Sequence, residues 1–451
     1  MSELLDQARR VADQALSLGA QEAKVSISSA RGVSVEWRDG EIERLQDHTD
    51  HGLSVSLFVD GRFSTHGTSD MRPEAIEAFL KDSIELTRYL EEDSCRSLPD
   101  PARYEGRAAL DLDLRDEGYE AVSAEQRREE AASLEERIRA QAQEALQGKE
   151  GEVTSVSCAV GDHLGRSARV HTNGFEGERE GTSFYMSAGL TLKEPNGKRP
   201  LGGAFTYRRH REELRSLDEL ALETAHDAAE KLNAQKLQTG RYTVIVKAEK
   251  VGRLLGYLIA PLSGGALQQK QSLFEGKLGA QIASPLLTIR DNPHRHRGLS
   301  SALWDRDGFA TAPRSIIEQG VLQTFLIGDY HAKKMTQEGN QPVWATGASL
   351  HNLEIELGTL PLSGLVNEVG DGVLIDRFLG GNSNPSTGEL SLGCGGRLIR
   401  GGELTESVTE FNLSGRFDEL WNQLVMVGAD PYPEGQPCPS CVFEGVQLSG
   451  V

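Results

Sequence analysis

The chain opens with apolar residues at helical spacing: Leu4, Leu5, Ala8, Val11, Ala12, Ala15 and Leu16. Ser2 stands where an N-cap belongs, and Gly19 ends the run. The period then falls to two. Ala23–Ser28, Val33–Arg38, Ile42–Asp47 and Leu53–Val59 read as strands, with tight turns at Asp39-Gly40 and Asp60-Gly61. A second helix is predicted from Arg72-Pro73-Glu74 to near Leu90, with proline in its first turn. Glu91–Gly118 is charged, contains proline and reads as a surface loop. Ser123–Gly148 predicts a long polar helix that packs by a narrow stripe or projects into solvent or a partner. Val153–Val160, Ser167–Thr172 and Thr182–Leu192 alternate as antiparallel strands, Asn196-Gly197 is a turn, and Leu217–Leu237 is a helix.

Thr239-Gly240 makes a natural boundary. Beyond it come the strand Tyr242–Val246 and an apolar helix over Ala248–Gly265, closed by Pro261 and a glycine pair. Val251, Leu254, Leu255, Leu258 and Ile259 share one face of that helix and are expected to be core. From Ala283 onward the pattern is mostly strands with glycine turns, among them Ser315–Gly328, Gly372–Leu379, Ser386–Arg400 and Glu406–Leu413. No fixed-period repeat is present. The expected class is α+β. Residues 1–238 form an N-terminal α/β domain with an antiparallel sheet and flanking helices, and residues 239–451 a C-terminal domain rich in antiparallel strands.

Composition narrows the function. Acidic residues outnumber basic ones, 68 to 48, for a formal net charge of −20. That opposes binding to nucleic acid, which needs a basic face. Five cysteines in 451 residues make no disulfide framework. The N-terminal helix lacks a basic segment followed by an apolar one, and no apolar run reaches membrane-span length, so neither a signal peptide nor membrane insertion is expected. A reducing cytoplasm is the expected compartment.

Isolated motifs are weak. Cys438-x-x-Cys441 lacks a second cysteine pair for a zinc ribbon and sits in a proline-rich tail, so two ordinary thiols near a turn are expected. His294 and His296 would share a face only on a strand, and without further donors they read as a solvated basic loop. Gly264-Gly265 reads as a helix-ending turn rather than a phosphate loop. Gly393-Cys394-Gly395-Gly396 reads as a strand turn rather than a nucleophile elbow. No particular serine is singled out for Ser/His/Asp catalysis.

The order of several longer segments is more specific. They are Gly52–Asp70, Leu262-Ser263-Gly264-Gly265, Leu278-Gly279, Asp291–Asp307, Arg314–Gly320, Gly347–Asn352, Gly380–Pro385 and Phe411–Gly428. In these the chain resembles the TldD/PmbA family, the "modulator of DNA gyrase" proteins, over nearly its whole length. The catalytic TldD branch carries a His-Glu-x-x-x-His zinc motif on the helix that matches Ala248–Gly265. Here Gly256, Tyr257 and Pro261 stand at those positions. Zinc needs imidazole, thiolate or carboxylate donors, and its water needs a base. The resemblance is therefore to the metal-free PmbA (TldE) branch. The catalytic branch also supplies a cysteine ligand from near its C-terminus, for which Cys438 is the nearest counterpart here.

The resemblance implies a subunit with no catalytic residue, metal or cofactor of its own. It would pair with a zinc-bearing TldD-type subunit, or with itself, act on unfolded or modified peptides, and shape the substrate cavity. Tyr257 suits either of two roles: lining a peptide groove with its hydroxyl, or filling the core. Two other readings stay open. One is a stand-alone homodimer that binds a peptide or small ligand. The other is an enzyme with a different site, using Cys438 and Cys441.

Overall fold

A computed structural model describes residues 2–339, 341–435 and 437–451. Helix α1 (Glu3–Ser17) starts as expected, with the Ser2 hydroxyl accepting the Leu5 N–H. The four strands expected next are two long ones, β1 (Glu22–Arg38) and β2 (Glu41–Val59), followed by β3 (Arg62–Thr68). Asp39 and Asp60 both take positive φ, 48° and 51°, as the two tight turns require. Helices α2 (Pro73–Thr87) and α3 (Ala124–Ala145) follow, then β4 (Glu152–His171), β5 (Phe175–Lys193) and β6 (Leu201–Arg208). Helix α4 (Leu217–Ala229) stops short of the expected Leu237, because Asn233 turns left-handed (φ 55°) and leads the chain into β7 (Gln235–Lys236).

The first sheet runs β3-β2-β1-β4-β5-β6, antiparallel throughout. Its two faces differ because side chains alternate along strands this long. Val25, Ile27 and Val35 of β1, with Val156, Val160, Ala168 and Val170 of β4, lie under the helices. The polar helix α3 docks by the expected narrow stripe, Ala131, Leu134, Ile138 and Ala142. Its buried Glu135 accepts from Trp37 Nε1 and the Gly40 N–H, at 2.6 and 2.8 Å, which fixes the β1–β2 turn. The opposite face carries Lys24, Ser26, Ser28 and Ala30 on β1 against His171, Arg169, Ser167 and Gly165 on β4.

The second half begins with β8 (Gly240–Val246), α5 (Ala248–Ile259) and α6 (Gly264–Gln268). Gly264 and Gly265 open α6 rather than end a helix, because the Ser263 hydroxyl caps it by accepting the Ala266 N–H. Strands β9 (Ile289–Asp291), β10 (Arg314–Glu318) and β11 (Val321–Leu322) follow. The expected strand Ser315–Gly328 is cut at Gln319-Gly320, both at positive φ. A Cβ on Gly320 would lie 2.2 Å from the Ala283 carbonyl oxygen. Helix α7 (Asp329–Gly339), β12 (Leu353–Ile355) and α8 (Leu362–Val369) were not anticipated.

The chain ends with β13 (Gly372–Ser383), β14 (Glu389–Arg400), β15 (Glu403–Arg416), α9 (Phe417–Asn422), β16 (Leu424–Val427) and β17 (Cys441–Ser449). Gly393–Gly396 runs through β14 as paired strand, not as a turn. These strands form the sheet β16-β17-β8-β13-β14-β15-β7. It is mainly antiparallel, with parallel pairs β8–β13 and β7–β15. A smaller sheet, β11-β10-β9-β12, packs beside it. The α+β class is as the sequence indicates. No helix among the described residues is long and apolar enough to cross a membrane.

Two tests follow from this packing. Leu255 is fully buried and Leu286 is half exposed. Leu255→Asp should cost about 4 kcal/mol, because an unpaired carboxylate enters the core, whereas Leu286→Asp should cost little. Equal urea midpoints for the two variants would mean that this face of α5 is not core. His171 is also buried; burial first, then Lys24 and Arg169, push its imidazole down to about 3 from 6.5. The folded chain therefore takes up this proton less readily than the unfolded chain. The contribution is fully present above pH 6.5 and is lost as pH falls toward 3. His171→Gln should flatten the stability profile between pH 6.5 and 3; an unchanged slope would rule the histidine out.

Candidate functional site

Helix α5 buries Val251, Leu254, Leu255, Leu258 and Ile259 against β13 and α9. Its other side is bare at Gly256 and Ala260, both exposed. A Cβ at Gly256 would meet nothing within 4 Å, so packing does not demand glycine there. Tyr257 is half buried, and its hydroxyl accepts from Arg253 Nε at 2.9 Å. Arg253 Nη2 also reaches the Gly381 carbonyl at 3.3 Å, beside the Phe378 ring. Pro261 is buried, and its carbonyl accepts from Ser272 Oγ.

Cys438 lies in the same apolar core, and burial pushes its thiol up to about 12. Cys441 is fully buried, and burial holds its thiol well above its ordinary range. All five cysteines are free and buried, so Cys438 and Cys441 are core thiols. Zinc does not fit here. Gly256 and Pro261 offer no donor, the Tyr257 oxygen is engaged by Arg253, and Cys438 is held as the neutral thiol. No group of three or more His, Cys, Asp or Glu among the described residues is placed to hold a metal ion.

A polar cleft of about 560 Å³ lies elsewhere, between the uncovered face of the first sheet and the segments 299–306 and 349–351. None of Gly256, Tyr257, Pro261 or Cys438 lines it. Arg169 of β4, Arg179 of β5 and Arg209, just past β6, converge on it. The Arg179 guanidinium stacks 3.6 Å from the Trp304 ring centre and donates to the Trp304 carbonyl. Arg169 donates to Ser26 Oγ and the Arg306 carbonyl, both at 2.9 Å. Arg209 donates to the carbonyls of Thr182 and Leu299, while its Nε is buried without a partner. Among the described residues, none of the three pairs with a carboxylate. Desolvation by the surrounding protein, then Arg169, lowers Arg179 to about 10 although much of its side chain stays open to solvent; burial also lowers Arg169 and Arg209.

The floor of the cleft is tied to a buried carboxylate. Asp291, at the end of β9, accepts the His351 N–H at 2.8 Å and faces Arg314 Nη2 and His351 Nδ1 at 3.2 and 3.3 Å. Arg314 also donates to the carbonyls of Thr346, Gly347 and Ser349. His294 and His296 follow β9 in a loop rather than on a strand. His294 contacts Thr311 Oγ1, His296 is exposed, and Arg297 bonds Asp113, Glu212 and Glu213. Sequence reasoning passed over the three arginines because their strands meet only in the sheet. The available signal was the alternation of polar Ser167, Arg169 and His171 with apolar Ala168 and Val170.

Residues 23–87 match the PmbA/TldA metallopeptidase domain 1, residues 117–236 the central domain and residues 239–450 the C-terminal domain. The chain is similar to Metalloprotease PmbA of Escherichia coli O157:H7, 27% identical over 449 residues, 99% of this chain and 96% of the relative. A PmbA homolog of Haemophilus influenzae is 25% identical over 418 residues, 90% of this chain and 87% of the relative. Among solved structures, a Bacteroides thetaiotaomicron protein described as a candidate modulator of DNA gyrase superposes with a TM-score of 0.93. It is 37% identical, with 100% of both chains covered. TldE from Thermococcus kodakarensis shares the fold, with a TM-score of 0.83 at 20% identity over 98% of this chain and 100% of that one.

Because Asp291 is 1% exposed, removing it strands the Arg314 charge. Asp291→Ala should cost about 3 kcal/mol or more, read as a lower urea midpoint at unchanged slope. A loss no larger than that of an exposed Asp→Ala control would show that the carboxylate is not what holds these loops.

Proposed function

Because the chain belongs to the PmbA/TldA metallopeptidase family, we propose that it is the non-catalytic partner of a zinc-bearing TldD-type subunit. Together they act on unfolded or modified peptides in the cytoplasm. The observation that carries this reading is the chemistry at the zinc-motif positions: Gly256, Tyr257 and Pro261, with Cys438 buried as a neutral thiol. The E. coli and Haemophilus relatives are named metalloproteases. In this reading such an activity reaches the present chain through its partner.

This chain's own contribution is a wall. Bare helix at Gly256 stands next to Tyr257, whose ring is fixed by Arg253 and can border a peptide groove. Peptide pairing at a strand edge reads backbone groups and tolerates varied side chains, which suits an enzyme for unfolded substrates. We assign the peptide-facing sheet to residues 1–238 and the pairing surface mainly to residues 239–451, beside α5. A permanent pair of this kind buries roughly 2,000 Å² or more.

The purified chain should bind no stoichiometric zinc and hydrolyse no peptide. Adding a subunit with an intact His-Glu-x-x-x-His motif should give a complex larger than 49.1 kDa with chelator-sensitive hydrolysis. Chelator-sensitive hydrolysis by this chain alone would overturn the reading. A species unchanged in sedimentation by the partner would favour a stand-alone binding protein. The triple variant Gly256→His, Tyr257→Glu, Pro261→His should remain inactive, because the groups that orient ligands around a metal are missing. Hydrolysis at the partner's rate by that variant would show the scaffold still poised for zinc.

A further inference from the structure

We propose that the arginine-lined cleft between the first sheet and the segments 299–306 and 349–351 binds a carboxylate of a peptide. The proposal rests on the peptide-acting role above and names a chemical group that this chain would recognise.

The cleft opposes the charge of the chain. The protein carries a formal net charge of −20, yet this lining holds five arginines and two acidic residues, Glu180 and Asp305. Both acids are already engaged. Glu180 faces Arg166 at 2.9 Å and Arg115 at 3.2 Å. Asp305 is buried and accepts the N–H groups of Asp307 and Phe309 at 2.9 and 3.0 Å. Arg169, Arg179 and Arg209 are left with carbonyls, a hydroxyl and an indole face. Cations gathered in this way repel one another and give up hydration, and a bound anion offsets both costs.

The arrangement is built rather than incidental. On the β4–β5 ladder Ser167 pairs with Arg179 and Arg169 with Gly177, so the two arginines rise from one face, two register positions apart. Gly177 leaves room for Trp304, whose indole a Cβ would strike at 2.7 Å. Gly181 leaves room for Arg209, where a Cβ would sit 3.0 Å from Nη1. Arg179, Arg306 and Ser28 stay open to solvent within or at the rim of the cleft.

The chemistry favours a carboxylate over a phosphate or a nucleotide. A guanidinium fork matches the planar carboxylate with two parallel hydrogen bonds. The lining holds no lysine and no Phe, Tyr or Trp on which a base could stack. Leu114, Leu299 and Leu350 supply apolar contact for neighbouring side chains. The carboxylate has two sources, a peptide C-terminus or an Asp or Glu side chain.

Binding of N-terminally labelled, unstructured peptides to the full chain, followed by fluorescence anisotropy, tests this. Three peptides of one alanine-rich sequence are used: free C-terminus, amidated, and amidated with one internal Glu. At least one acid-bearing peptide should bind about tenfold more tightly than the neutral one, with the preference shrinking as salt rises. Which acid-bearing peptide gains identifies the source. Arg179→Gln should remove most of the preference while leaving binding of the neutral peptide unchanged. Should Arg179→Gln fail to fold, Arg306→Glu at the exposed rim should cut the same preference. Equal binding of all three peptides, a preference that survives the variants, or stronger competition by inorganic phosphate than by acetate would overturn the proposal. Loss of carboxylate preference with partner-dependent hydrolysis intact refutes this inference alone. Carboxylate-dependent binding without any partner effect refutes only the pairing.

Discussion

The buried carboxylate of Asp291 is the constraint on which the rest of the cleft depends. A charge this deep is tolerable only when its lone pairs are filled, and here a backbone N–H, a guanidinium and an imidazole fill them. Those partners come from β10 and the segment before β12, so one carboxylate fastens three stretches far apart in the chain. Arg314 extends the tie to the carbonyls of residues 346, 347 and 349. With that end held, the loop after β9 can reach the first sheet and seat Trp304 among Phe175, Arg169 and Arg179. At its near end Arg297 bonds Asp113, Glu212 and Glu213. The two halves of the molecule are thereby locked by ion pairs at one point and an aromatic stack at another.

Against this frame, α5 and the cleft divide the chemistry. The helix keeps the packing of an apolar core element and presents bare backbone at Gly256. The cleft holds positive charge inside an acidic protein. A cationic pocket within a negative surface focuses the field toward itself and draws in an anionic group. Binding through shape and charge needs no reactive side chain, and this chain's nucleophilic thiols are all buried.

Much of the fold was legible. The Ser2 cap, the Asp-Gly turns, the narrow stripe of α3 and the buried face of α5 are local patterns, set by residues two to four positions apart. They survive because local geometry and tertiary packing ask for the same residues. The errors are equally physical. Residues 29–32 and 48–52 lack alternating apolar side chains because their strands lean on neighbouring strands, not on a helix. They read as breaks but pair continuously in β1 and β2. Gly393–Gly396 reads as a turn, yet it is strand, and Gly396 is required by a close neighbour: a Cβ there would sit 1.8 Å from the Leu374 carbonyl oxygen.

The class of fold, the order of its segments and the absence of donor side chains at 256 and 261 can be read from the amino acids alone, because each is a property of residue identity at a fixed position. The burial of the Cys438 thiol, the hold of Arg253 on Tyr257 and the meeting of Arg169, Arg179 and Arg209 in one cleft come from the packed fold. Those outcomes depend on strand register and on where a loop lands. Register follows from the summed pairing of whole strands, and the loop's place from a single buried carboxylate 23 and 60 residues away from the Arg314 and His351 it holds. Neither is written in the spacing of any one segment.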